Sequence, residues 1–232
     1  MCMLFESRIT WDKLSLELEL LAVEDPHSLV PLLVGVNSVL WPQEELEWTL
    51  RSIQFSSYEL VSQCQGLSEN RRLKHLNNYF FNIKGFQAAS QPNGIYTEAD
   101  LLMKPILQKK LGAPLPLALI YLHFTSHLDL PIHLINLHDY LLLKWVRGSH
   151  SEYIDLMNAG RKLSEGDLLE LLNQCHQKKS HLKVDSSLEI VPLRKVFLQY
   201  LNSLVFYYRS HQDLKSLHST YNILLKLDAS NL

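Results

Sequence analysis

Apolar residues recur at helical spacing through the first third of the chain. Trp11, Leu14, Leu18 and Leu21 share one stripe of a segment that Thr10 can cap and that runs to about Val23. Asp25-Pro26 reads as an N-cap followed by proline at the first helical position, opening a helix with Leu29, Leu32, Leu33, Val36 and Leu40. Pro42 opens a third, with Leu46, Leu50 and Ile53 inward. A fourth spans about Glu69 to Phe81, carries Leu73, Leu76, Tyr79 and Phe80, and ends at Gly85. Residues 87–97, with Pro92-Asn93-Gly94, read as a loop. Two further helices are predicted over 98–110 and 115–128.

The pattern then changes. Ile132 to Leu137 and Tyr140 to Val146 read as strands joined at His138-Asp139, and Tyr153 to Leu156 as a short third one before a turn at Asn158-Ala159-Gly160. Ser164 caps a helix rich in Leu168, Leu169, Leu171 and Leu172. The polar run 176–187 reads as a linker, and 191–209 with 212–227 as a helical hairpin bent at Ser210-His211-Gln212. The pattern predicts an α+β fold, mostly helical, with a small antiparallel sheet.

Composition narrows the function classes. With 232 residues, 47% of them hydrophobic, the chain can fill a sizeable core. A net charge of −2 offers no basic footprint for phosphate backbones, which argues against direct nucleic-acid binding. The three cysteines, Cys2, Cys64 and Cys175, are too few and too scattered for a disulfide framework or a structural zinc site, and fit the reducing cytoplasm. The segment from Met1 to Arg8 lacks the basic and apolar regions of a signal peptide. The longest apolar run, Leu115 to Leu122, is too short to cross a bilayer, so no membrane association is expected.

Several stretches, in order, resemble the SirB family, whose members join a transglutaminase-like domain to tetratricopeptide-type helices. They are Arg72-Leu73-Lys74-His75-Leu76-Asn77-Asn78-Tyr79-Phe80-Phe81, then Lys84-Gly85-Phe86 and Tyr96. Next come Leu107 to Pro114, Leu117, Tyr121 and Leu128-Asp129-Leu130-Pro131. Tyr140 to Lys144 and Ile154 to Gly160 complete the set. The resemblance implies three parts: an N-terminal helical region (1–86), a degenerate transglutaminase-like core (87–175) and a tetratricopeptide-like hairpin (188–232).

Active transglutaminase-like enzymes place a Gly-x-Cys thiol at a helix N-terminus, where the dipole and a nearby histidine favour the thiolate. An aspartate on the next strand orients that histidine. Here Gly112-Ala113-Pro114 occupies the Gly-x-Cys slot, Tyr140 falls on the histidine, and Asp155 is retained. Proline is no nucleophile, and a phenol of ordinary pKa is a poor base at neutral pH. Loss of a nucleophile or base alone costs about 10⁶ in turnover in a serine protease. The resemblance therefore implies a protein without this catalysis or any cofactor, acting by binding another protein.

His138 and Tyr140 share a strand face if the strand starts early, so His138, Tyr140 and Asp155 form a possible rebuilt site for a hydrolase or acyl-transfer enzyme. The plainer reading of His138 is a loop residue. His123 and His127 have the i,i+4 spacing of metal ligands, but an eleven-histidine chain makes one such pair unsurprising, and no metal is expected. Cys175-His176 are adjacent on a helix and point about 100° apart, which disfavours a thiol–imidazole pair. In the tail, Leu201, Leu204, Val205, Tyr208, Leu217, Tyr221, Leu224 and Ala229 fall on the repeat's packing positions, with Val205 and Leu217 where the template has small residues. One hairpin cannot bury its own apolar face, so the tail is expected to pack on the rest of the chain.

Overall fold

The computed structural model describes residues 26–40, 46–90, 95–137, 140–178 and 188–229. The helix expected over 10–23, the Asp25 cap, Pro42, the turn at 92–94, His138 and most of the linker lie outside them. Pro26 opens a 3-10 turn, Pro26–Ser28, that runs into α1, Leu29–Leu40. All five expected inward residues of α1 are buried. Helix α2 (Leu46–Cys64) and α3 (Glu69–Asn77) follow, and α3 widens into one π-helical stretch, Asn78–Ile83. Gly85 turns the chain in the left-handed region at φ 75°, where a Cβ would be strained.

The helix expected over 98–110 is two helices, α4 (Glu98–Leu101) and α5 (Met103–Lys109), separated by Leu102 in extended conformation (φ −91°, ψ 142°). Pro105 explains the break. Proline has no N–H to give to the Leu101 carbonyl, so it fits the first turn of a new helix and not the middle of a long one. The carbonyl left over accepts from the Tyr200 hydroxyl at 3.1 Å. Asn37 accepts the Met103 N–H at 2.5 Å and donates to the Tyr200 oxygen at 2.7 Å. One buried polar cluster thus ties α1, the break and the tail.

The stretch expected to be all loop contains a short strand, β1 (Gln87–Ala88), paired in parallel with β2 (Leu111–Gly112). Two-residue strands carry too little pattern to be read from sequence. After β2 comes α6, Pro114–His127, buried from Pro116 through Thr125. A helix apolar all round belongs in the middle of a fold, and α6 packs against α1, α2, α3 and β3.

The sheet is an antiparallel meander of β3 (Ile132–Leu137), β4 (Tyr140–Arg147), β5 (His150–Asp155) and β6 (Arg161–Leu163). Its third strand begins earlier than expected and its fourth was not expected. Both extra pieces are mostly polar, and backbone pairing sets their register, as in Ile154↔Lys162 and Arg147↔His150. Leu134, Leu143, Trp145 and Ile154 face the main core. Ile135 and Leu142 face a smaller cluster with Leu168, Leu171 and Leu172 of α7, Glu165–Lys178. At the start of α7, Ser164 and Asp167 exchange hydrogen bonds, with Asp167 accepting from the Ser164 N–H at 2.9 Å.

The tail hairpin is α8 (Leu193–Ser210) and α9 (Leu214–Ala229), turned at Gln212 (φ 56°). It packs on α1 and α4, as a single hairpin must. In α8 the expected Leu201, Leu204 and Tyr208 are buried. In α9 the buried stripe is Thr220, Ile223 and Leu227, whereas Tyr221 is 44% exposed and Leu217 and Leu224 are flanking. The repeat register fails there because α9 must meet α1 as well as α8. Among the described residues no helix is long and apolar enough to cross a membrane.

Asn77 locks the sheet to the helices. Its amide donates to the Gly160 carbonyl at 2.9 Å and its oxygen accepts from the Tyr121 hydroxyl at 2.5 Å. A Cβ on Gly160 would lie 2.5 Å from that oxygen, and Gly160 sits at φ 69°. Gly160→Ala is expected to lower stability by about 2 kcal/mol through strain and loss of both bonds. Urea midpoints would check this, and a change below about 0.5 kcal/mol would contradict it.

Candidate functional site

The chain enters α6 through Gly112-Ala113-Pro114. Gly112 belongs to β2, and a Cβ there would come within 3.0 Å of the Ile106 side chain. Ala113 is extended (φ −61°, ψ 154°) and gives its N–H to the Asp100 carbonyl at 2.7 Å. Pro114 is the first residue of the helix, where its missing N–H costs nothing. A side chain with no nucleophilic atom therefore occupies the helix N-terminus.

Tyr140 opens β4 and lines the same pocket as Pro114. Its ring also packs into the cluster beneath α7, and its hydroxyl donates to Asp155 Oδ2 at 2.6 Å. Burial and then this bond push the phenol well above its usual pKa. It is consequently no base at neutral pH. Asp155 ends β5, is 1% exposed, and caps the 3-10 turn Leu156–Asn158. Its Oδ1 accepts the Met157 and Asn158 N–H groups at 3.0 and 3.2 Å, and Oδ2 also accepts the Asn158 amide at 2.6 Å. A carboxylate holding four donors has its lone pairs committed, three to the turn and one to Tyr140.

Two adjoining pockets form a cleft here. The inner one, about 320 Å³, is bounded by Pro114, Pro116, Leu134 and Tyr140. The outer one, about 390 Å³, is bounded by Ile95, Asn202, Phe206 and Tyr207. They share Tyr96, Leu101, Gln199 and Ser203. Among the described residues the lining holds no cysteine, no histidine and no charged side chain. The Ser203 hydroxyl donates to the Gln199 carbonyl at 3.0 Å. The arrangement can seat an uncharged chain segment against amides and aromatic rings.

Of the rebuilt trio, Tyr140 and Asp155 are brought together, and His138 lies outside the described residues. The structure keeps His123 and His127 away from the cleft lining. His123 is buried, with Nε2 3.3 Å from the Ser57 hydroxyl, and His127 Nδ1 donates to the His123 carbonyl at 2.9 Å. Among the described residues no group of three or more His, Cys, Asp or Glu is placed to hold a metal ion. Cys64 is buried at the end of α2, where burial raises its thiol pKa despite Arg72. The side chains of Cys175 and His176 lie outside the described residues.

Sequence reasoning missed the tail's share of the site. Gln199 and Ser203, four apart on one face of α8, become a cleft wall only because the hairpin folds back across α4. That spacing was the available signal, and it says nothing of what the face meets.

The F-box only protein 21 of mouse, orangutan (Pongo abelii) and human is 26% identical to this chain over 87 residues. That stretch is 34% of this chain and 14% of each relative, so the match covers a small part of much longer proteins. No solved structure matches. A family model described as Transglut_core2, transglutaminase-like superfamily, matches residues 44–202, which takes in α2 through the first half of α8 and most of the inner pocket's lining. A match over that much of the chain, on a helix-led core with a small antiparallel sheet, means that the chain belongs to the transglutaminase-like superfamily.

Proposed function

We propose that this is a non-catalytic transglutaminase-like protein of the SirB type that acts in the cytoplasm by holding a segment of another protein in the cleft beside Pro114 and Tyr140. One observation carries the reading: the helix N-terminus that in active relatives presents a thiol presents a proline ring, in a pocket whose described lining has neither cysteine nor histidine. The phenol at the base position is protonated and tied to a buried carboxylate. What remains is a cleft whose amides and rings suit the backbone and uncharged side chains of an extended peptide. The ordered motifs that suggested the SirB type serve the frame, as Asn77, Tyr121 and Gly160 do. The segment shared with F-box only protein 21 is a minor part of that chain, which supports a domain used as one module among others.

Two measurements test this. Amine incorporation into glutamine peptides and hydrolysis of activated esters are expected to stay at the buffer rate. A benzoylphenylalanine in place of Asn202, on the rim of the outer pocket, is expected to photo-crosslink a discrete protein in the cells that make this chain. Turnover above buffer that disappears in Tyr140→Phe would instead establish the rebuilt hydrolase or acyl-transfer site with His138.

A further inference from the structure

The outer face of α2 carries a second concave site that shares no residue with the cleft. Trp48, Ser52 and Phe55 are three and four residues apart and so form one stripe. They rim a pocket of about 230 Å³ floored by Ile53, Phe86, Leu107 and Phe124. Phe55 is 69% exposed, an unusual place for a phenylalanine beside a ready apolar hollow.

Two ammonium groups stand at this pocket and they differ. Lys84 is neutralised by Glu59 at 2.9 Å, and Glu59 also takes the Tyr79 hydroxyl. Lys110 has no carboxylate in ion-pair reach among the described residues. Its Nζ lies 4.8 Å from the centroid of Phe86, on the pocket floor. Burial, and then Lys84, make the Lys110 cation less favourable than in water. The backbone there is fixed: the Lys110 N–H bonds to the Ile106 carbonyl at 2.8 Å, and its own carbonyl accepts from Gln87 at 2.8 Å. The site therefore has an apolar hollow, a rigid frame and a positive charge unmatched among the described residues.

We propose that this pocket docks an acidic peptide segment of a protein partner, with one large apolar side chain in the hollow and an adjacent Asp or Glu carboxylate paired to Lys110. The carboxylate answers the unmatched cation, and the apolar side chain fills the hollow over Ile53, Phe86, Leu107 and Phe124. Nucleic acid and anionic membranes present rows of charge and need rows of cations. A single unmatched lysine on a chain of net charge −2 does not meet that need.

Random dodecapeptides displayed on phage, selected on the full chain, test this. The enriched peptides are expected to place Asp or Glu beside a large apolar residue. Labelled with fluorescein and read by anisotropy, they are expected to bind at least about tenfold more weakly to Lys110→Gln and to Phe55→Ala, and more weakly in high salt. Phe55 is exposed, so its substitution leaves the fold intact and keeps the test valid even where Lys110→Gln does not fold. No enrichment, enrichment without acidic residues, or equal binding to wild type and both variants would overturn the proposal. So would self-association abolished by Phe55→Ala, which would assign the face to a second copy of the chain.

Discussion

Asp155→Ala is expected to lower the unfolding free energy by about 3–4 kcal/mol, a drop in melting temperature on the order of 10 °C. Four donors converge on that carboxylate: the Tyr140 hydroxyl, two backbone N–H groups and the Asn158 amide. Hydrogen bonds to a charged acceptor are the strong ones, and removing it leaves partly buried donors without a partner. Tyr140→Phe removes one bond and should cost only about 1 kcal/mol. Asp155→Asn keeps an oxygen for the two backbone donors but turns an amide nitrogen toward Tyr140 and Asn158, so it should fall between. This ordering separates a structural aspartate from a catalytic one. If all three variants melt with wild type while some activity vanishes, Asp155 belongs to a working site. A graded loss of stability identifies it as the cap of the turn that holds β5 to β6.

The second large effect is acid sensitivity set by His123. The Ser57 hydroxyl donates to the Ile53 carbonyl at 3.1 Å, so its oxygen accepts from the His123 Nε2–H at 3.3 Å. Nδ1 is then left as a lone pair, buried and without a partner among the described residues. Protonating it would place a charge in the interior beside His127 and His27. Burial first, and those two rings second, hold its pKa down to about 3, against about 6.5 in the unfolded chain. Above pH 6.5 the ring is neutral in both states and stability is full. As pH falls below 6.5 the unfolded chain takes up a proton that the folded one refuses, and stability falls by about 1.4 kcal/mol per pH unit until the folded pKa is reached.

Wild type is therefore expected to be about 2 kcal/mol less stable at pH 5 than at pH 7 through this group alone. His133 is also depressed, by burial and Lys144, and adds in the same direction. His123→Phe isolates the first contribution because it fills the same space and cannot titrate. Its urea midpoint should change little between pH 7 and pH 5 except for the His133 share. Equal pH dependence in wild type and variant would show that His123 takes up its proton without unfolding. Glu59 and Glu152, held low by hydrogen bonds to Tyr79 and to Lys162, lose their contributions only at more acid pH.

The elements legible from sequence were those whose apolar period matched what they bury. Helix α1 has a core face nearly all round, and α6 is apolar on every side, so neither depended on register. Strands β3 and β4 are apolar over most of their length because both faces of the sheet are covered, one by the main core and one by α7. Where a segment is only two residues long, as β1 is, or mostly polar, as β6 and the first half of β5 are, its side chains carry no apolar period and the reading failed. The break at Leu102 was legible in principle, because Pro105 forbids an unbroken helix. Its completion by Asn37 and Tyr200, 66 and 99 residues away, was not.

By itself the sequence determined that Pro114 suits the first turn of a helix and brings no nucleophile, because a proline's fixed φ and missing N–H are properties of the residue wherever it stands. It also determined a mostly helical chain with one small sheet, since periodicity is local. Only the tertiary structure decided that Tyr140 meets Asp155, that α8 walls the cleft through Gln199 and Ser203, that α9 turns Ile223 and not Tyr221 inward, and that Lys110 stands over Phe86. These depend on which faces meet across long stretches of chain, and that choice is made by the packing of the whole core rather than by any one segment.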